Sequence, residues 1–158
     1  MKRILKIIII TVFILVLSAC SSEKTYKEKG LEITMDKGFY YKNHSQADIY
    51  FTKGNITFTA LKEDYAKLES QDLNIDSDVT DYMENIFANL GSEYPIYDYN
   101  GLKYFIYGMK DNNIVYAYLV TVHKGNDAFW ICSLSTTEEE FAQYQESFLK
   151  WSSTVKVK

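Results

Sequence analysis

Residues 96–134 read IYDYNGLKYFIYGMKDNNIVYAYLVTVHKGNDAFWICSL, and this stretch decides the fold. Apolar runs at 96–99, 102–107, 114–122 and 128–134 are separated by short polar links. The first link is Asn100-Gly101. Both residues tolerate positive φ, which makes the pair the strongest short hairpin signal. The others are Lys110-Asp111-Asn112-Asn113 and Lys124-Gly125-Asn126-Asp127. Links this short join antiparallel neighbours, because a parallel crossover needs about a dozen residues. The stretch is therefore a four-strand antiparallel meander. Runs 114–122 and 128–134 are apolar on both faces, which predicts cover on both sides of the sheet.

Working outward, Val79, Tyr82, Met83, Ile86 and Leu90 recur at helical spacing and predict a helix over 78–90. Asp76 or Ser77 can cap its free amides. Asp78 and Asp81 suit the positive end of its dipole, and Gly91 ends it. Downstream, Phe141, Tyr144, Phe148 and Trp151 predict a second helix over 137–153, with Thr136 and Glu139 as a capping box. Upstream, 49–52 and 56–61 flank Lys53-Gly54-Asn55 as a hairpin. Residues 31–35 alternate apolar and polar as a half-buried strand does. Segment 62–71 is polar, with room for a short helical turn. The expected class is α+β: a mainly antiparallel sheet of about six to seven strands with two principal helices, layered as an α/β/α sandwich.

This element order, with the step Gly38-Phe39 after the first strand and the aromatic pair Phe129-Trp130 in a late strand, resembles the PsbP-like fold. That family contains extrinsic photosystem II proteins, a small Ran-binding nuclear-import protein and many bacterial lipoproteins. The resemblance covers about residues 30–156 and rests on element order, with no diagnostic motif. It implies binding or assembly more often than catalysis. No functional residue carries over, since no motif is matched position by position.

The chain opens with Met1-Lys2-Arg3 and Lys6, followed by an almost wholly apolar segment over 7–17. This is the layout of a secretory signal, and it is shorter than the roughly 20 apolar residues that a spanning helix needs. It ends in Leu17-Ser18-Ala19-Cys20, which resembles the lipobox of bacterial lipoproteins. The resemblance implies that residues 1–19 are a signal peptide and that Cys20 receives the lipid and becomes the first mature residue. The mature protein is then expected outside the cytoplasm, anchored by lipid to the bacterial cell membrane. Two acyl chains suffice for stable anchoring. Residues 20–29 are expected to be a tether and 30–158 a single domain.

The full chain of 158 residues has 17 basic and 21 acidic side chains, a net charge of −4. Loss of Lys2, Arg3 and Lys6 with the signal leaves 14 basic residues and a net −7. An acidic exterior argues against nucleic acid as a partner. Commitment of Cys20 to lipid leaves Cys132 alone, so no disulfide framework is expected. Its apolar setting reads as core filling.

The sharpest local pattern is Asp72-Leu73-Asn74-Ile75-Asp76-Ser77-Asp78. Its alternating oxygens resemble the start of a calcium loop. The sixth position holds Ser77 where glycine is needed, and the twelfth holds Met83 where a glutamate is needed. The plainer reading is an acidic loop that caps the following helix. His44 and His123 lack ligand spacing, and no nucleophile elbow or glycine-rich phosphate cradle is present. Glu138-Glu139-Glu140 suit a helix start. No catalytic, metal or cofactor residue is assigned, and no cofactor is expected.

There are 14 tyrosines, and Tyr94, Tyr97, Tyr99, Tyr104, Tyr107, Tyr116 and Tyr118 crowd the meander. Tyrosine suits interfaces and sugar stacking, but it also fills strands. The functional expectation is a non-catalytic, membrane-anchored surface lipoprotein that binds a protein partner or assists an envelope complex. The alternative is a lipoprotein that binds a small molecule, a glycan or Ca²⁺; a hydrolase is the least favoured class.

Overall fold

The structure, a computed structural model, describes residues 22–158; Cys20 and the expected signal peptide over 1–19 lie outside the described residues. The strands are β1 (Glu23–Glu28), β2 (Leu31–Asp36), β3 (Tyr40–Tyr41), β4 (Ile49–Lys53), β5 (Ile56–Asp64), β6 (Tyr97–Tyr99), β7 (Leu102–Asp111), β8 (Ile114–Lys124), β9 (Ala128–Thr137) and β10 (Lys156–Val157). The helices are α1 (Tyr65–Leu68), which runs into a 3-10 turn over Glu69–Gln71, α2 (Val79–Leu90) and α3 (Glu138–Ser152).

The meander forms as its links dictate: β6 through β9 are successive antiparallel neighbours. The β4–β5 hairpin joins it through β5 and β9, which completes a seven-stranded antiparallel sheet of order β3-β4-β5-β9-β8-β7-β6. A second, three-stranded sheet has the order β1-β2-β10.

Side chains alternate across the large sheet and feed two cores. On one face Phe58, Ala60, Leu119, Trp130, Cys132 and Leu134 pack against Phe141, Phe148, Leu149 and Trp151 of α3. Tyr26, Leu31, Ile33 and Met35 of the small sheet belong to the same cluster. On the other face Phe105, Val120, Val122 and Phe129 pack against Tyr82, Met83 and Phe87 of α2, with Tyr65, Leu68 and Leu73 beside them. This is the α/β/α layering expected from strands apolar on both sides, with the small sheet added to the α3 layer.

The structure corrects three local readings and refines a fourth. Glu23–Glu28 is a strand paired with β2 along its whole length, so order begins well before residue 30 and the tether expected over 20–29 is mostly sheet. The segment is polar because it is an edge strand that needs only one inward anchor, Tyr26. The Tyr26 hydroxyl donates to the Asp36 carbonyl at 2.9 Å and accepts from the Phe39 amide at 3.2 Å. The cap of α2 is Asp78 rather than Asp76 or Ser77, in a reciprocal box with Asp81. Thr136 caps nothing; it is buried and its hydroxyl bonds Glu140 at 2.9 Å, while Thr137 stands at the cap position without a side-chain bond. The segment 62–71 splits: β5 runs on to Asp64 before α1 begins.

Candidate functional site

The α2 face of the sheet changes character along its strands. Read across by register, one row is Leu61, Ile131 and Val122. The next is Tyr50, Thr59, Ser133, Val120 and Phe105. Then come Thr52, Thr57, Ser135, Tyr118 and Tyr107, and last Thr137, Tyr116 and Met109. Apolar residues give way to hydroxyls. Helix length explains the change: the 12 residues of α2 reach about 18 Å, whereas the 11 residues of β8 extend about 36 Å. The helix covers one half of the face, and the other half stays open.

The open half is a trough of about 780 Å³. Its floor is Thr57 and Thr59 of β5 with Ser135 and Thr137 of β9. One wall is Tyr50 with His44, whose rings stack at 4.9 Å and 7°. The other is Tyr116 and Tyr118 with Met109 and Asp111. Tyr118 in turn stacks on Tyr107 at 4.8 Å and 11°. Four strand spacings separate β4 from β7, so the trough is roughly 19 Å wide. A smaller recess of about 210 Å³ runs from it under the end of α2, between Ile86, Leu90 and Ile131.

Part of this hydroxyl set is already bonded: Thr57 and Ser135 share a bond of 2.6 Å, and Thr52 donates to the Ile56 carbonyl at 3.3 Å. The hydroxyls of Thr59, Thr137, Tyr50 and Tyr116 make no hydrogen bond to another described residue, and they are open to solvent or a ligand. Burial raises the Tyr118 phenol above its ordinary range, helped by Tyr116, Asp111 and Tyr50 nearby. Tyr118 therefore stays a neutral donor at physiological pH. The trough can stack rings and exchange hydrogen bonds with a ligand. It brings no nucleophile against a base: His44 lies beside β4 and Asp111 ends β7, on opposite walls.

The residues singled out from the sequence fall elsewhere or divide. In the loop 72–78 the side-chain oxygens of Asn74, Ser77 and Asp78 are occupied by the chain itself. Asn74 accepts from the Asp76 amide at 2.7 Å, Ser77 accepts from the Asn74 amide at 3.1 Å, and Asp78 caps α2. Among the described residues no three His, Cys, Asp or Glu side chains are grouped to hold a metal ion. His44 and His123 lie apart, His44 on the trough wall and His123 near the end of β8 on the α3 face. Burial lowers the His123 imidazole to about 4, and its Nε2 lies 3.0 Å from Thr121 Oγ1. Cys132 is buried, and desolvation pushes its thiol far above the range of a reactive cysteine.

The tyrosines do not make one patch. Tyr99 and Tyr104 pack at the margin of the α3 core with Tyr97 exposed beside them, whereas Tyr94, Tyr107 and Tyr118 border the α2 core. Tyr82, outside the cluster, is buried, and its hydroxyl donates to Glu63. The trough itself was missed in the sequence. Its signal is the alternate set Phe129, Ile131, Ser133, Ser135, Thr137, where one face of one strand passes from apolar to hydroxyl.

No family model and no curated protein matches the chain. Solved structures do. CyanoP, the cyanobacterial PsbP of Synechocystis, aligns over 89% of this chain and 95% of its own at 15% identity and a TM-score of 0.56. The chain has the PsbP-like fold. A protein of Bacteroides thetaiotaomicron aligns over 87% of this chain at 8% identity and a TM-score of 0.57; the match spans 49% of that protein. LpqN of Mycobacterium tuberculosis, involved in cell envelope biogenesis, aligns over 85% of this chain and 90% of its own at 13% identity, with a TM-score of 0.41. At these identities the likeness concerns the fold alone. Among the described residues no helix is long and apolar enough to cross a membrane.

Proposed function

We propose that this chain is a non-catalytic lipoprotein of the bacterial envelope, processed before Cys20, held by lipid on that cysteine, and working by binding in the trough on the α2 face. The trough carries the reading: a concave, accessible surface with free hydroxyls between two stacked aromatic pairs, of a volume within the usual 300–1,000 Å³ of ligand sites. The Leu17-Ser18-Ala19-Cys20 motif supports the anchor. The meander tyrosines divide between two faces and make no single binding surface of their own.

Two measurements test it on the full chain in bacterial cells. Metabolic labelling with an alkynyl fatty acid should mark the protein, and Cys20→Ser should lose both label and membrane association. A Cys20→Ser protein that keeps its label removes the anchor. A photo-crosslinker in place of Thr59, in the trough, should give a specific adduct that the same probe at the exposed Lys27 does not. Equal or empty capture at both positions removes the trough as the binding face. A protein in the adduct identifies an envelope partner.

A further inference from the structure

We infer that the trough takes an uncharged glycan, stacking sugar rings on its aromatic walls and bonding sugar hydroxyls from its floor. This rests on the trough being the binding face and names the ligand class.

Charge narrows the class first. The lining holds one exposed cation, Lys42, and one exposed anion, Asp111, on opposite walls, with uncharged residues between. The full chain carries 21 acidic against 17 basic side chains, a field that disfavours anionic polymers, and the trough has no acidic cluster to attract a cation. Backbone chemistry narrows it further. The floor is the face of central strands β5 and β9, whose amides and carbonyls are committed to ladders on both sides. The floor therefore offers no free strand edge to which an extended peptide could add. The hydroxyls of Thr57, Thr59, Ser135 and Thr137 make the floor a poor bed for the acyl chain of a lipid.

A neutral polyhydroxyl ligand matches this surface. A sugar ring has an apolar face and a rim of hydroxyls. Tyr50 and Tyr116 supply apolar faces with polar tips on the two walls, and aromatic residues of this kind combine contact area with a hydrogen-bonding handle. The free hydroxyls of Thr59 and Thr137 each donate and accept, as a sugar hydroxyl requires. The roughly 19 Å breadth accommodates a run of several rings rather than one monosaccharide.

The test is calorimetry and saturation-transfer NMR on the full chain in a non-glycosidic detergent. The probes are cellotetraose, maltotetraose and the N-acetylglucosamine tetramer, with tetragalacturonate and the glucosamine tetramer as charged counterparts. At least one neutral tetramer should bind, about tenfold or more tighter than either charged one. Tyr50→Ala and Thr59→Lys should each weaken it about tenfold, while thermal unfolding shows both variants folded. Co-sedimentation with the insoluble polymer of the bound sugar separates a wall or matrix glycan from a free oligosaccharide. Silence from all neutral tetramers at millimolar concentration, equal binding of a charged tetramer, or unchanged affinity in both variants overturns the glycan assignment. If the Thr59 crosslinker still captures a specific adduct while no sugar binds, the glycan falls and the trough stands. If neither responds, both fall.

Discussion

The two halves of the α2 face lie on the same strands and differ in everything but backbone. In the covered half Phe129 is fully buried, with the Tyr82 ring stacked at 4.4 Å and Tyr65 edge-on at 5.2 Å. In the open half Thr57, Thr59 and Thr137 occupy equivalent alternating positions on the same face and line the open trough. The comparison teaches that facing toward a layer does not bury a residue; the reach of the covering element does. A helix of 12 residues ends at Gly91, and the sheet beyond it carries hydroxyls where apolar side chains would be stranded.

The contrast can be broken most forcibly in the covered half. Phe129→Ala removes a ring packed on two sides, and urea unfolding should show a loss of about 3–5 kcal/mol. A smaller, sharper test is Tyr82→Phe. It strips one hydroxyl from Glu63 and should cost about 1–2 kcal/mol. It should also alter the alkaline limb. Burial, and then Glu63, raises the Tyr82 phenol above its ordinary value of 10.0, so the native state holds that proton longer than the unfolded chain does. The resulting stabilisation is complete below pH 10 and is lost as pH climbs above it. The wild type should therefore lose more stability than Tyr82→Phe between pH 10 and 11.5, read from denaturant midpoints.

At the border between the halves, Ser133 has a buried hydroxyl with no hydrogen-bond partner. Ser133→Ala relieves that unpaired group and should stabilise the protein by about 1 kcal/mol, seen as a raised Tm. The smallest effect belongs to the open half, where Thr59→Ala should change stability by no more than about 0.5 kcal/mol. A loss of 2 kcal/mol there would mean that the floor is structural and that the contrast between the halves is wrong.

Much of this fold is legible in the sequence, and what is hidden is hidden for physical reasons. Asn100-Gly101 and the two other short links determine the meander because short links leave the chain no other geometry. The stripes of α2 and α3 are readable because each helix buries one face. β1 escapes because an edge strand with a single inward residue, Tyr26, has no run of alternation to detect. The pairing of β5 with β9 joins residues far apart in the chain, from Asp64 with Ala128 to Thr57 with Ser135, and local pattern carries no trace of it. The α2 cap was displaced by one or two residues because Asp76, Ser77 and Asp78 are all competent caps, and only the fit with Asp81 selects Asp78. The tyrosine cluster disperses for a related reason. Neighbours along a meander alternate between opposite faces, so density in sequence does not become density in space.

The pairing of β1 with β2 also governs posture. Only Ser21 and Ser22 separate Cys20 from Glu23, a leash of about 11 Å at full stretch. Glu23 is itself pinned, by the ladder to Asp36 and by Lys150 at 2.6 Å. A lipid on Cys20 would thus moor the molecule by its small sheet, within a headgroup's depth of the leaflet, and leave it little freedom to roll. The small sheet belongs to the α3 layer. The trough would look outward from the other side of the body, like a cup on a short-stemmed base.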